Sequence, residues 1–512
     1  MAGAVSMADS PKSKVVKAEK LAKPSATNRV KRAALYKLID YLMEDPETNI
    51  EKILNLLDTV VPKALYANQR KAFRGAIERK NNWYRLILKT LKMNPEVMPQ
   101  LLKTFVVDSN LLVWPQQEEN RKNLKCNIPW AVLLDPTSAC NLHCTGCWAA
   151  EYGHKEQLTY EEIDSIINQA NELGTHMFIY TGGEPLVRKK DIIKLCEAHP
   201  DSAFLSFTNA TLIDEDFCKE MVRVKNFVPA ISVEGIGEAT DVRRGEGTFD
   251  RIDNAMNLLR KYQLPYGVSC CYTKQNCDAI ASEEFIDWII DKGALFAWFF
   301  TFMPVGYDTG TELMATAEQR KYMYKFIREM RDTKELFTMD FWNDGEFVGG
   351  CIAGGRRYLH INAAGDVEPC VFAHYANANI RTSSLLDALR SPIFMEYYNN
   401  QPFDGSNLLR PCPILDNSGK LTEMVERSGA HSTDLQHEET AEHLCAKTAE
   451  TAKAWKPVAD SIWFDKNDPR YSYRVDNYVG QAESDIARFE RLGKIGSISP
   501  EDREKRFAEE SK

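Results

Sequence analysis

The chain has 512 residues, 44% of them hydrophobic and 27% charged, which describes an ordinary soluble globular protein long enough for several buried cores. A formal net charge of -9 speaks against a dedicated nucleic-acid binder, whose phosphate contacts call for a basic face. No apolar run reaches the ~18 residues of a membrane-spanning helix, and the first residues lack the apolar core of a secretory signal, so the expected compartment is the cytoplasm. In a reducing compartment the 13 cysteines serve as metal ligands, redox groups or small core residues.

Residues 1–32 are rich in Lys and Ala and poor in large apolar side chains, which predicts a disordered basic tail. Residues 33–127 predict a helical region. Leu35, Leu38, Ile39 and Leu42 recur at helical spacing, as do Ile53, Leu54 and Leu57, then Trp83, Leu86, Ile87 and Leu91, with Pro62, Pro95 and Pro99 between the runs. From 128 to 340 strands and helices alternate. Strands are expected at 130–134, 176–181, 203–208, 228–233, 266–272 and 295–303, and helices at 160–173, 189–198, 214–224, 249–262 and 283–292. Short apolar strands alternating with helices imply parallel pairing through right-handed crossovers. No GxGxxG follows the first strand, so an α/β fold with a partial (β/α)6 TIM-like barrel is expected rather than a doubly wound sheet. After a helix near 318–331, residues 341–450 form a loop-rich, cysteine-containing module of the kind metal ligation stabilises. Residues 451–512 are expected to be a charged helical tail.

Directly after the first strand, Cys140, Cys144 and Cys147 are spaced CxxxCxxC. Loops at the carboxyl ends of barrel strands carry chemistry. A cubane cluster held by four cysteines is closed, whereas three leave one iron open to a chelating ligand. Zinc with His143 as a fourth ligand is the alternative. Thr181-Gly182-Gly183-Glu184-Pro185 makes a rigid turn after the second strand and offers a carboxylate. Asn209 and Ser232 end the third and fourth strands, and the fork of Arg244 suits a bound carboxylate. Cys351 and Cys370 enclose a hairpin turn at Ala364-Gly365, with Cys412 and Cys445 downstream. Cys196, Cys218, Cys270, Cys271 and Cys277 lie in apolar segments and are expected as core filler, and His360 and His374 as structural residues.

The three-cysteine loop and the GGEP turn one strand later resemble the signature of the radical S-adenosylmethionine (SAM) enzymes. The resemblance implies a 4Fe-4S cluster on Cys140, Cys144 and Cys147 whose open iron takes the amino and carboxylate groups of SAM. Reductive cleavage then gives a 5′-deoxyadenosyl radical that abstracts hydrogen from a substrate. It also implies SAM contacts from Gly182, Gly183 and Glu184, with Asn209, Ser232 and Arg244 as candidates for ribose and carboxylate. One departure is that Gly146 stands before the third cysteine, where the family usually has an aromatic residue, and Trp148 follows it. The C-x13-G-x4-C spacing of Cys351, Gly365 and Cys370 is similar to the opening of the SPASM extension without its dense continuation. With Cys412 and Cys445 it implies one auxiliary 4Fe-4S cluster, the alternatives being a zinc site, a three-ligand cluster without Cys445 or no metal, and it implies a low-potential electron donor such as flavodoxin or ferredoxin. Substrates in the family include peptides, protein side chains, cofactor precursors and lipids. The mixed aromatic, aliphatic and basic residues at 83–93 fit either a helix packed on the barrel or peripheral contact with a membrane and a lipid-tail substrate. A peptide substrate is the rival, and a non-enzymatic zinc-binding scaffold is the alternative from another class.

Overall fold

Short runs of Val, Ile, Leu and Phe build the centre of the molecule, a computed structural model that describes residues 21–22, 26–60, 67–404, 407–471 and 474. The strands are β1 (Ala131–Leu134), β2 (Met177–Tyr180), β3 (Ala203–Thr208), β4 (Phe227–Ser232), β5 (Gly267–Tyr272), β6 (Phe296–Thr301), β7 (Phe337–Asp340), β8 (Tyr358–Ile361) and β9 (Val367–Glu368). They lie in the order β7-β6-β5-β4-β3-β2-β1-β8-β9. All neighbours pair in parallel except β9, which runs antiparallel to β8 around the expected turn. The six expected strands are thus present, and β7 and β8 extend the sheet at its two sides. The sheet curves as a partial barrel that is not closed.

Helices cover the outer face. Tyr160–Leu173 opens on a capping box of Thr159 and Glu162 and buries Ile163, Ile166, Ile167, Ala170 and Leu173 at helical spacing. Each large aliphatic side chain buried in this way contributes about 1.5–3 kcal/mol. The inner face is filled differently. On β6, half-exposed Phe296, Trp298 and Phe300 alternate with buried Ala297, Phe299 and Thr301. Ser269 and Cys271 on β5 stand in register with Trp298 and Phe300. Cys271 is therefore a half-buried inner-face thiol, whereas Cys196, Cys218, Cys270 and Cys277 are buried as expected.

Three expected boundaries move. The helix Ala26–Glu44 takes in residues 26–32 of the expected basic tail, anchored by Arg32 on the buried Asp108 at 2.9 Å; residues 1–20 and 23–25 lie outside the described residues. The expected break at 340–341 has strands on both sides, because β8 pairs with β1. The helix Ala441–Trp463 runs straight through the expected break at 450–451. The helix Asn82–Leu91 is held from two sides: Leu91 clusters with Leu42, Ile50 and Ile53 of the N-terminal helices, while Asn82 Nδ2 donates to the carbonyls of Arg331 and Lys334 at 2.9 and 2.7 Å and the Trp83 ring lies 5.4 Å from Phe337. No helix among the described residues is long and apolar enough to cross a membrane.

Candidate active site

The loop after β1 carries Cys140, Cys144 and Cys147, and the glycine turn after β2 is stapled to it. Gly183 N donates to Thr137 O at 3.1 Å and Glu184 N to Ala139 O at 2.9 Å. The approach is so close that a Cβ on Gly183 would lie 2.2 Å from Ala139 O. Gly182 has φ +103, and its Cβ would meet the Asp135 side chain at 2.7 Å. Both positions therefore require glycine.

Glu184 faces inward. Its buried carboxylate accepts from Leu186 N (2.9 Å), Thr208 Oγ1 (2.6 Å) and Asn209 N (2.7 Å), tying the β2 turn to the end of β3. Asn209 Nδ2 in turn donates to Asn141 Oδ1 in the cysteine loop at 2.9 Å. Ser232 is half-buried at the end of β4, in register with Ser269.

Arg244 lies beside the cysteine loop. Its fork is taken by a protein carboxylate: Glu234, wholly buried just beyond β4, accepts from Arg244 Nε at 3.0 Å and Nη2 at 2.5 Å, from Arg243 Nη1 at 2.6 Å and from Cys271 N at 3.0 Å. The remaining Nη1 of Arg244 points at Cys144 Sγ, 3.9 Å away. Burial opposes the charge on Glu234, but the two guanidiniums outweigh it and hold the carboxyl below its ordinary value. Glu234 was legible only as a lone carboxylate nine positions before an Arg pair.

Burial pushes the Cys140 thiol up to about 11, and it raises Cys147 as well, with Cys144 adding to the shift. Binding of a metal at these thiols therefore releases their protons. Gly146 resolves the departure beside the third cysteine. Its φ is +66, and a Cβ there would lie 2.5 Å from the Phe302 ring, so the space an aromatic residue at 146 would need is already filled from the end of β6.

Trp148 lies edge-on to His360, Tyr152, His374 and Phe372 at 5.7, 6.1, 6.1 and 6.3 Å. Beneath it runs a buried polar chain that the sequence reading missed. Asp135 Oδ1 is 2.9 Å from His360 Nε2, and His360 Nδ1 is 2.6 Å from Glu368 Oε2. Glu368 also accepts from Tyr152 Oη (2.8 Å), Asn362 Nδ2 (2.9 Å) and Thr433 Oγ1 (2.6 Å). Nearby, His374 Nδ1 is 2.6 Å from Asp434 Oδ1.

Burial, and after it Cys370, Cys351, Cys412 and Cys445, hold the Tyr397 phenol well above its ordinary value. Cys370 Sγ lies 2.9 Å from Tyr358 Oη and accepts from Phe372 N at 3.5 Å, and Cys412 Sγ accepts from Ile414 N and Leu415 N at 3.4 and 3.3 Å. Donors aimed at sulfur suit metal-bound thiolates. Among the described residues, no three His, Cys, Asp or Glu side chains are placed to grip a single metal ion; a cube of iron and sulfide needs wider-set ligands than one zinc at about 2.3 Å from each sulfur.

Residues 134–277 match the model of the Radical SAM superfamily. The chain is 22% identical over 284 residues to the AdoMet-dependent heme synthase of Methanosarcina barkeri, covering 50% of this chain and 80% of that protein. It is 26% identical over 246 residues to the cysteine-type anaerobic sulfatase-maturating enzyme of Clostridium perfringens, covering 43% of this chain and 62% of that protein. Among solved structures, native anSMEcpe with bound AdoMet and Cp18Cys peptide aligns at a TM-score of 0.46 and 17% identity, covering 65% of this chain and 98% of that chain. The chain spans 59% and 62% of some of the curated relatives it matches, and 37% of another, the Fe-coproporphyrin III synthase of Methanosarcina barkeri. Residues 134–277 are thus similar to the radical SAM superfamily, and the relatives include an AdoMet-dependent synthase and a sulfatase-maturating enzyme.

Proposed function

We propose that Cys140, Cys144 and Cys147 hold the SAM-binding 4Fe-4S cluster, and that the backbone of Gly182 and Gly183 receives the amino-acid part of SAM, with Asn209 and Ser232 on its ribose side. With one electron, the bound pair supplies a 5′-deoxyadenosyl radical, which abstracts hydrogen from the substrate. The observation that carries this reading is the stapling of the cysteine loop to the glycine turn at 2.9 and 3.1 Å. It fixes a three-thiol loop against exposed backbone groups while Glu184 is drawn inward. Arg244 grips the loop beside Cys144 instead of reaching for a SAM carboxylate. The half-exposed inner face of Ser269, Cys271, Trp298 and Phe300 receives the substrate.

Cys351, Cys370, Cys412 and Cys445 hold one auxiliary 4Fe-4S cluster in this reading. The electron comes from a low-potential donor of the flavodoxin or ferredoxin kind in a reducing cytoplasm. A peptide or protein side chain is the substrate class we favour over a lipid tail, because the amphipathic helix Asn82–Leu91 spends its apolar face inside the protein, with Leu91 and Ile87 against Leu42, Ile50 and Ile53; a sulfatase-maturating relative is in keeping with that class. The test is anaerobic. Wild-type enzyme with SAM and dithionite releases 5′-deoxyadenosine, and Cys144→Ala releases none. A colourless protein that binds zinc and leaves SAM intact overturns the assignment.

A further inference from the structure

Beside the Cys351 segment of the second cysteine set stands a hydroxyl with nothing to bond to. Tyr397 lies on the helix Pro392–Asn400, is 0% exposed, and its Oη has no hydrogen-bond partner. Buried hydroxyls are almost always satisfied, so an orphan of this kind asks for an acceptor. The phenol is firmly placed. Gly354, three residues beyond Cys351, has φ +62, and a Cβ there would lie 2.3 Å from Tyr397 Cβ. Phe403 packs edge-on at 5.4 Å. Gln401, whose N–H bonds Tyr397 O at 3.1 Å, sends its side-chain amide back to the carbonyls of Cys351 (3.2 Å) and Ala353 (2.9 Å). The ring is therefore locked to the Cys351 segment. A second phenol, Tyr358, already lies 2.9 Å from Cys370 Sγ.

We propose that Tyr397 Oη donates a hydrogen bond to the auxiliary cluster held by Cys351, Cys370, Cys412 and Cys445, and that with Tyr358 it raises the reduction potential of that cluster. The reduced cluster carries one more negative charge than the oxidised one, so a fixed donor favours the reduced form; hydrogen bonding to sulfur is one of the protein's levers on such potentials. Tyr397 is a tuning residue that touches the group it adjusts. The inference rests on the proposed ligand set.

The experiment is an EPR-monitored redox titration of anaerobically reconstituted full-length wild type, Tyr397→Phe and Tyr358→Phe. The auxiliary signal is the one that added SAM leaves unchanged. Both variants keep the ring, and iron stays at about eight per chain, as expected for two four-iron clusters. The auxiliary midpoint moves to more negative values by on the order of tenfold in the reduction equilibrium, ~59 mV for one electron. In D2O, pulsed ENDOR on the reduced auxiliary cluster shows an exchangeable deuteron in wild type that Tyr397→Phe lacks. A Tyr397→Phe protein with full iron, the wild-type midpoint and the same deuteron coupling overturns this inference and leaves the ligand set standing. Wild type with about four irons and no second signal overturns the ligand set itself.

Discussion

Gly183→Ala is the sharpest perturbation of the proposed SAM site. The new Cβ would stand 2.2 Å from Ala139 O, 2.5 Å from Ser138 O and 2.6 Å from Ala139 C. All three are backbone atoms, so no side chain can swing aside. Restoring ordinary contact at 3.4 Å requires the glycine turn and the cysteine loop to part by about 1.2 Å, from 3.4 less 2.2. That movement breaks Gly183 N to Thr137 O and Glu184 N to Ala139 O. Two hydrogen bonds at about 0.5–1.5 kcal/mol each give a loss of roughly 1–3 kcal/mol. At about 2–4 °C per kcal/mol this is a fall in melting temperature of roughly 2–12 °C. Cys140 adjoins the displaced residue, and a displacement near 1 Å at a reacting site costs about 100-fold in rate. Calorimetry on the anaerobic protein measures the first quantity, and kcat/KM for 5′-deoxyadenosine release the second. A variant that melts within about a degree of wild type and cleaves SAM at the wild-type rate refutes the reasoning, because the close approach would then be doing nothing.

Two other substitutions test the surrounding polar structure. Glu234→Gln removes the carboxylate that faces both buried guanidiniums, and breaking a buried ion pair in this way costs about 3–5 kcal/mol in denaturant unfolding; a loss under about 1 kcal/mol shows that Arg243 and Arg244 find other partners. His360 has a pH signature. Burial opposes its charge, but Asp135 and Glu368 outweigh burial and raise it to about 10. Against an unfolded value of about 6.5, the stabilisation by its imidazolium is complete below that pH and is lost as pH rises through 10. The stability gap between wild type and His360→Gln therefore narrows from about pH 6.5 to 10, and a gap constant across that window contradicts the charged-histidine account.

Elements whose determinants are local were legible in the sequence. The helix Tyr160–Leu173 and the strand Ala203–Thr208 fall where they were expected, because capping residues and continuous apolar runs carry their own boundaries. β8 was not legible. Tyr358–Ile361 is four residues long, and its partner is β1, far back in the chain, so no local pattern reports the pairing. The three cysteines and the GGEP turn could be found because their spacing carries the signal. The Glu234 partner of Arg244 was not legible, because a fork suited to a carboxylate says nothing about whether that carboxylate belongs to a ligand or to the protein. Cys412, after Arg410, and Cys445, on the helix Ala441–Trp463, lie far from Cys351 and Cys370 in the chain, so no local spacing ties the four together.

Why a buried polar chain runs between the two cysteine sets follows from its cost. Asp135 and Glu368 are both sealed from solvent, and either carboxylate alone would be expensive to bury. His360 bridges them at 2.9 and 2.6 Å, and Tyr152, Asn362 and Thr433 spread the remaining charge over three donors. Such a network is stable only when every member is in place, because each missing partner strands a charge in low dielectric. Its members come from the end of β1, the cysteine loop, β8, β9 and the segment around Thr433, so no one of these elements can shift without breaking several bonds at once. Apolar packing would tolerate slippage between the barrel and the segment that follows β8, whereas this network does not. The β8–β9 hairpin is therefore the piece that fixes the Cys370 site relative to Cys147, and the position of Trp148 between them follows from it.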